Sequence, residues 1–450
     1  MDSLMLIVLN EPSGMWETIL GAFKSAMGSY ILAVILLAVI VRILFSVVDI
    51  FNKRINMKNM QINEKMKPEL EAVQKKYGHD KVLLQKKQSE IYKKYQYSMV
   101  GTCLPMLLVM VLQMVVFLTL WTGLQNVSNY NIVKSYENTK TVYYNVLMLN
   151  EDEQFTTYLT DKIASGENYT IDVDINVDNK TMNIYVFDAN NEQDFVKENI
   201  VITDTLTNEE IYNLITSYAV EEEPENPETP PESETILVEG NSLTDVNKAI
   251  KTLAEEVTAD YYIDNMESFL WIKNIYKAES PMTSPVFTKE EITNYLNSYY
   301  TDEEKAIEEE HHYEEQIFDY VIVGLNERDL GVNGYFILVI LAVVSSFLSI
   351  FLSNKLMKGN QAAGGGKLMY FIMPLILGIF TLMYTSLFAI YIIVGQLVMI
   401  AMAPLNNLIV KKWVAASAKK QEQKKKDIID VDFIIKDYLA LPVSFLFKII

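Results

Sequence analysis

The chain has 450 residues, half of them apolar, yet its formal net charge is −20, a pairing that argues against a single water-soluble domain. Residues 125–333 hold 44 of the 58 acids and 12 of the 38 bases, a net of −32. The remainder holds 14 acids and 26 bases, a net of +12, so a basic, apolar framework carries an acidic insert and the whole-chain pI predicts nothing about nucleic acid.

Cys103, the single cysteine, excludes an intramolecular disulfide and reads as a packing thiol among apolar neighbours. No basic n-region or lipidation motif precedes the first long apolar run near Tyr30, so a cleaved signal peptide is not expected. Within residues 1–29, Trp16, Ile19, Leu20, Phe23 and Met27 recur at helical spacing after the cap residue Ser13. This predicts an amphipathic helix in the outer interface, with packing against the insert as the alternative.

Five membrane spans are expected. A bilayer core takes about 20 apolar residues in helical form. Residues 30–51 meet that requirement, with Arg42 as their only charge before Asp49. Residues 100–124 and 334–354 supply spans two and three. Residues 368–410 are uncharged, and as one helix they would reach roughly 65 Å, about twice the core thickness. They therefore read as two spans with a turn near Tyr384-Thr385-Ser386. Residues 52–99 carry twelve Lys and Arg, beginning with Lys53, Arg54 and Lys58, and cations stay on the cytoplasmic side. That orientation puts the N-terminus and insert 125–333 outside. It puts the loop 355–367 and the lysine-rich tail 411–450 inside.

In residues 52–99, Ile55, Ile62, Met66, Leu70, Val73 and Tyr77 form one apolar stripe, and Leu84, Ile91 and Tyr95 another. Gly78 stands between them, as in an antiparallel helical hairpin. The insert reads as α/β. Tyr169–Val177 alternates as a strand and can pair with Met182–Phe187. Thr207 to Glu210 form a capping box for a helix to about Tyr218, and residues 221–235 read as a Pro/Glu-rich linker. Ser242–Ile263 reads as a second helix, and Glu290–Tyr320 as a charged helical stretch.

No metal or nucleotide site is expected. Asp172-x-Asp174-x-Asn176 lacks the glycine and the closing glutamate of a calcium loop, and His311-His312 lacks zinc-protease spacing. Ala362 to Lys367 has Gln361 and Leu368 where a phosphate loop needs Gly and Ser/Thr. No nucleophile–base pair stands out, so the chain does not read as an enzyme, and no cofactor is expected.

Arg42 lies about eleven residues before Lys53, roughly 16 Å of helix, well inside the hydrocarbon. An arginine there costs on the order of 2.5–3.5 kcal/mol on insertion scales unless it faces protein or water. It either snorkels or pairs with Asp49 as a structural element, or faces a water-filled cavity. Gln113 and Thr119 in span two, Ser345, Ser346 and Ser349 in span three, Thr381 in span four, and Tyr391 and Gln396 in span five can supply a polar wall.

Several segments then form a recognisable set: Ile35–Ser46 around Arg42, Met66 to Leu70, Lys75 to Tyr77, Ile91 to Tyr95, and Gly101 to Pro105. Phe269-Leu270-Trp271-Ile272-Lys273-Asn274, Lys367 to Pro374, and Ala389 to Val394 complete it. In this order and topology the chain resembles the YidC family of membrane protein insertases (the Oxa/Alb/YidC superfamily), outside a much longer outer loop. The resemblance implies an all-α polytopic fold with five transmembrane helices around a hydrophilic groove, a cytoplasmic helical hairpin and a large extracytoplasmic insert. It implies insertion of nascent membrane proteins without nucleotide hydrolysis. Arg42 would attract polar tails, and Lys65, Lys67, Lys75 and Lys76 would lie on a substrate-guiding hairpin. The implied partners are the ribosome, the Sec translocon and membrane lipids, with no sequence-specific nucleic acid. A membrane-anchored receptor or adhesion protein working through the insert, and a channel using Arg42, are the competing classes.

Overall fold

The structure is a computed structural model. It describes residues 9–95, 97, 99–176, 179–203, 243–301, 305, 325, 328, 330–356 and 366–423. The expected helix at 207–218, the linker 221–235, His311-His312, most of the glycine-rich turn and the end of the lysine-rich tail lie outside those residues. Two compact units result. One comprises residues 15–124 and 336–450, the other residues 1–14 and 125–335.

In the first unit, helix α1 (Met15–Met27) buries Trp16 and Leu20, the two residues of its stripe that recur one turn apart. It ends at Gly28, whose φ of +78° a side chain would resist, and Ser29 caps the next helix by accepting from Ile31 N. The Trp16 indole N–H donates to the Thr119 hydroxyl (3.0 Å), and a Cβ on Gly123 would come within 2.7 Å of Trp16 Cβ. The amphipathic helix is thus docked onto its own unit.

Helix α2 (Tyr30–Tyr77) contains the first apolar segment and continues without a break into the basic segment. Its 48 residues reach roughly 72 Å, more than twice a bilayer core, so it extends well beyond one. Residues 78–80 turn the chain into α3 (Lys81–Lys94), where the Asp80 carboxylate accepts from Val82 N and Leu83 N. Met66 and Ile91 are buried in this hairpin, and Glu69 accepts from Lys94 Nζ (2.6 Å) and Tyr95 OH (2.7 Å). Lys65, Lys67, Lys75 and Lys76 are exposed.

Helix α4 (Met99–Leu147) runs 23 residues past residue 124, where span two is expected to end. The apolar count stops at Leu124, but Val127, Val133, Tyr136 and Tyr144 continue a buried helical face among polar residues, which a hydropathy criterion misses. After Tyr335 come α8 (Ile337–Leu356), α9 (Gly366–Met383) and α10 (Ser386–Gln423). The uncharged run divides at Tyr384-Thr385, where the Thr385 carbonyl accepts from Phe388 N and Ala389 N.

Tyr30–Ile55, Leu107–Glu151 and Ser386–Ala416 are long and apolar enough to cross a membrane; Ile337–Ser353 and Phe371–Met383 are shorter apolar helices. Leu107, Leu108, Met110, Val111, Met114, Val115 and Leu118 of α4 are all exposed. At about 1.5–3 kcal/mol for each large apolar side chain, such a face is untenable in water and suits lipid.

The second unit is mixed. Helix α5 (Glu153–Ser165) is capped by Asp152 and closed by Gly166 at φ +67°. Strands β1 (Tyr169–Asn176), β2 (Thr181–Asp188) and β3 (Gln193–Val201) form an antiparallel sheet in that order, with Tyr169 opposite Asp188 and Asn176 opposite Thr181. The alternation in β1 and β2 matches the hairpin read from the sequence. Strand β3 was not expected, because its charged residues interrupt the pattern. Phe195 of β3 stacks on Tyr158 of α5, with ring centroids 4.6 Å apart. Asp172 and Asp174 occupy the exposed face of a strand, not a loop.

Helix α6 (Leu243–Asp264) and helix α7 (Lys289–Tyr299) follow, α7 opened by a capping box between Thr288 and Glu291. Two buried asparagines staple this unit. Asn145 Nδ2 donates to the Thr203 carbonyl (2.8 Å) while its Oδ1 accepts from Thr203 N (2.7 Å). Asn333 accepts from Asn274 N (2.8 Å) and donates to the carbonyls of Asn274 (3.0 Å) and Ala278 (3.1 Å).

Asn333→Ala strands those buried groups, each worth about 1–3 kcal/mol when left bare. The expected outcome is a lower thermal midpoint and faster proteolysis within residues 266–288, read by limited digestion and mass spectrometry. In the hairpin, hydrogen bonds from Lys94 and then Tyr95 hold the Glu69 carboxyl below its ordinary range. A lowered folded value means the contact contributes above the unfolded carboxylate pKa and is lost as pH falls through the folded one. Hydrogen exchange across Lys81–Lys94 is expected to quicken on acidification through that range, and Glu69→Gln to quicken it already at neutral pH.

Candidate functional site around Arg42

The site is built on the seam between α2 and α10. Arg42 Nη1 points at the Met399 thioether sulfur (3.4 Å). A Cβ on Gly395 would lie 2.7 Å from Arg42 Nε and 3.4 Å from Nη2, so the absence of a side chain at 395 is what admits the guanidinium. Arg42 Nε is buried with no hydrogen-bond partner among the described residues. Asp49 stands two turns further along the same helix, about 10 Å of axial rise. No carboxylate within ion-pair reach of Arg42 is found among the described residues.

The seam continues from Arg42. Ser46 OH donates to Asn406 Oδ1 (2.9 Å), both residues buried, and Phe51 meets the Trp413 ring edge-on at 5.3 Å. The Arg54 guanidinium lies 3.9 Å from the centre of that indole. Met399, Asn406 and Trp413 recur every seven residues, the interval at which one face of a helix returns to a long partner. Because residue numbers rise together along both helices, α2 and α10 run parallel.

Other ring contacts fix further directions. Trp121 meets Tyr384 (5.3 Å) and Phe117 meets Phe388 (5.9 Å), so α4 is antiparallel to α10. Phe347 meets Phe371 (6.1 Å), and a Cβ on Gly378 would lie 2.7 Å from Val343, so α8 and α9 are antiparallel and closely packed.

The expected wall residues fall into two sets. Tyr391 is buried one turn before Gly395, stacked on Phe388, and Gln396 is half-buried next to that glycine. Ser345, Ser346 and Ser349 are buried on α8, and Thr381 on α9. Ser345 and Thr381 spend their hydroxyls on their own helices, at the carbonyls of Ala342 (3.3 Å) and Gly378 (2.8 Å). Gln113 is half-buried on α4, and Thr119 is engaged by Trp16 and by the carbonyls of Val115 and Val116. Sequence reasoning missed Gly395, Met399, Ser46, Asn406 and Trp413. The seven-residue recurrence along α10 was the available signal.

Several apolar helices gathered along a seam that holds a half-buried arginine define a multi-pass membrane protein. Residues 22–186 match the family model described as 60Kd inner membrane protein. Curated relatives named Membrane protein insertase YidC are 36% identical over 104 residues in Oleidesulfovibrio alaskensis and 36% over 80 residues in Clostridium tetani. Another, in Fusobacterium nucleatum, is 28% identical over 97 residues. Those matches take in 23%, 18% and 22% of this chain and 18%, 34% and 45% of the relatives, less than half of each. No solved structure matches. Over residues 22–186 the chain is similar to the 60Kd inner membrane protein family, the group of YidC, Oxa1 and Alb3.

Gly395 and Arg42 should be energetically coupled. Gly395→Ala is expected to destabilise the protein in detergent, and to do so less when Arg42 is already alanine. The coupling is expected in the 0.5–3 kcal/mol range typical of residues in contact, read by a double-mutant cycle on thermal midpoints. Additive effects would mean that the side chains do not meet.

Proposed function

We propose that the protein is a membrane protein insertase whose five helices cross a bacterial plasma membrane around a hydrophilic groove containing Arg42. The helix directions support five crossings. Spans one and five run parallel, span two opposes span five, and the closely packed third and fourth oppose each other before the turn at Tyr384-Thr385. That is the alternation an odd number of crossings requires. The twelve cations of residues 52–99 put the hairpin inside and the acidic insert outside.

The observation that carries the reading is Arg42 itself. A guanidinium in the hydrocarbon costs on the order of 2.5–3.5 kcal/mol by insertion scales, and here it meets a thioether and a glycine instead of a carboxylate. Its open valences suit water and the acidic or polar tail of an incoming chain. Water in the groove spares that tail part of its desolvation cost. The apolar segment of the substrate then leaves for lipid, driven by about 25 cal/mol per Å² of apolar surface buried. No step consumes a nucleotide. Nascent membrane proteins are the substrates, and the exposed hairpin lysines Lys65, Lys67, Lys75 and Lys76 guide them. The lysine-rich tail contacts the ribosome by charge, and the Sec translocon and membrane lipids complete the partners.

Arg42→Ala is expected to abolish insertion of single-span substrates with acidic outer tails while leaving the protein folded and membrane-bound, and Arg42→Lys to restore part of it. Complementation of an insertase-depleted bacterial strain, with insertion scored by protease protection, checks both. Full complementation by Arg42→Ala would refute the groove mechanism.

A further inference from the structure

The acidic unit carries a rigid apolar tip. Phe269 and Ile272 exchange both backbone hydrogen bonds (2.8 and 2.9 Å), so Leu270 and Trp271 form the two-residue turn of a tight hairpin. Leu270 takes φ +54°, the position such turns usually give to glycine, and its side chain is 76% exposed. A bulky apolar residue is therefore displayed where the backbone resists one.

The turn is not loose. Glu279 Oε1 accepts from the Trp271 indole (2.7 Å) and from Tyr335 N (3.1 Å), while Asn333 ties Asn274 and Ala278 and its own N–H donates to the Thr283 carbonyl. A Cβ on Gly334, at φ +120°, would collide with the Glu279 side chain, so the backbone there lies directly against that carboxylate. Three exposed apolar residues hang on this one knot: Leu270, Met282 at 85% and Tyr335 at 63%. Tyr335 stands two residues before Ile337, where the apolar helix α8 begins.

We propose that this knot is a lipid anchor, with Leu270, Met282 and Tyr335 seated in the headgroup–acyl boundary of the outer leaflet beside the start of α8. Chain continuity supplies the first argument: a residue two positions before a span lies at the interface, and Glu279 locks the Leu270 turn to that residue. The second is charge. Residues 125–333 carry a net of −32, so an anionic surface repels this domain and only apolar contact can hold it down. The third is residue type, since an amphipathic tyrosine beside aliphatic side chains is the composition interfaces favour. The proposal rests on α8 being a membrane span, and its test separates the two.

In a Cys103→Ser background, Leu270→Cys, Val201→Cys and Ile340→Cys are each labelled with an environment-sensitive fluorophore. The full chain is then reconstituted in phosphatidylcholine/phosphatidylglycerol vesicles. Val201, 72% exposed at the end of β3, reports the aqueous face, and Ile340, 59% exposed on α8, reports the span. The label at 270 should emit at shorter wavelength than at 201, lose its quenching by aqueous iodide, and gain quenching by lipid spin-labelled near the headgroup. Iodide quenching at 270 equal to that at 201, with the label at 340 in lipid, overturns the anchor and leaves the span intact. A blue-shifted label at 270 that spin-labelled lipid does not quench means a protein covers the tip, and also overturns it. An aqueous label at 340 removes the span and the anchor together.

Discussion

A guanidinium set within an apolar helix constrains everything built around it. Arg42 is tolerated because α10 presents no side chain at Gly395 and a polarisable sulfur at Met399. The seam below follows from the same register. Once Arg42 faces residues 395 and 399, the seven-residue interval brings Asn406 to Ser46 and Trp413 to Phe51 and Arg54. An arginine, a buried hydrogen bond and a cation–π stack thus follow one another along one helix pair. One residue of slippage would separate all three.

Much of this was legible in the sequence, and what was not has physical causes. The apolar runs, the basic segment and the sign of each loop follow from transfer energies, which composition reports directly. Arg42 was conspicuous for the same reason. Its surroundings were not, because a glycine and a methionine in an apolar run look like ordinary membrane residues until a partner helix is placed against them. Conversely, Ser345 of α8 and Thr381 of α9 look polar in a sequence but bond their own helices. Helix α4 continues past Leu124 because burial against a protein core needs only one apolar face, whereas burial in lipid needs all of them. Strand β3 hid behind its charges.

The acidic unit solves another problem. A domain so rich in carboxylates has few apolar residues to spare, and it economises with side-chain amides that imitate backbone. Asn145 and Asn333 each offer a donor and an acceptor to a neighbouring segment, much as a strand would, joining stretches 58 and 59 residues apart. The buried Glu137–Lys140 ion pair (2.9 Å), joined by the Tyr300 hydroxyl, adds a charged contact within the same core. Such groups stabilise only as complete sets, which favours one arrangement over many.

Helix α2 also has a mechanical consequence. From Tyr30 to Tyr77 the helix is continuous, and Pro68, the proline inside it, falls within the α2–α3 hairpin. Pro68 follows Arg42 by 26 positions, a shaft of roughly 39 Å. The Arg54–Trp413 stack therefore stands between the charge at Arg42 and the exposed lysines of the hairpin, on one unbroken helix.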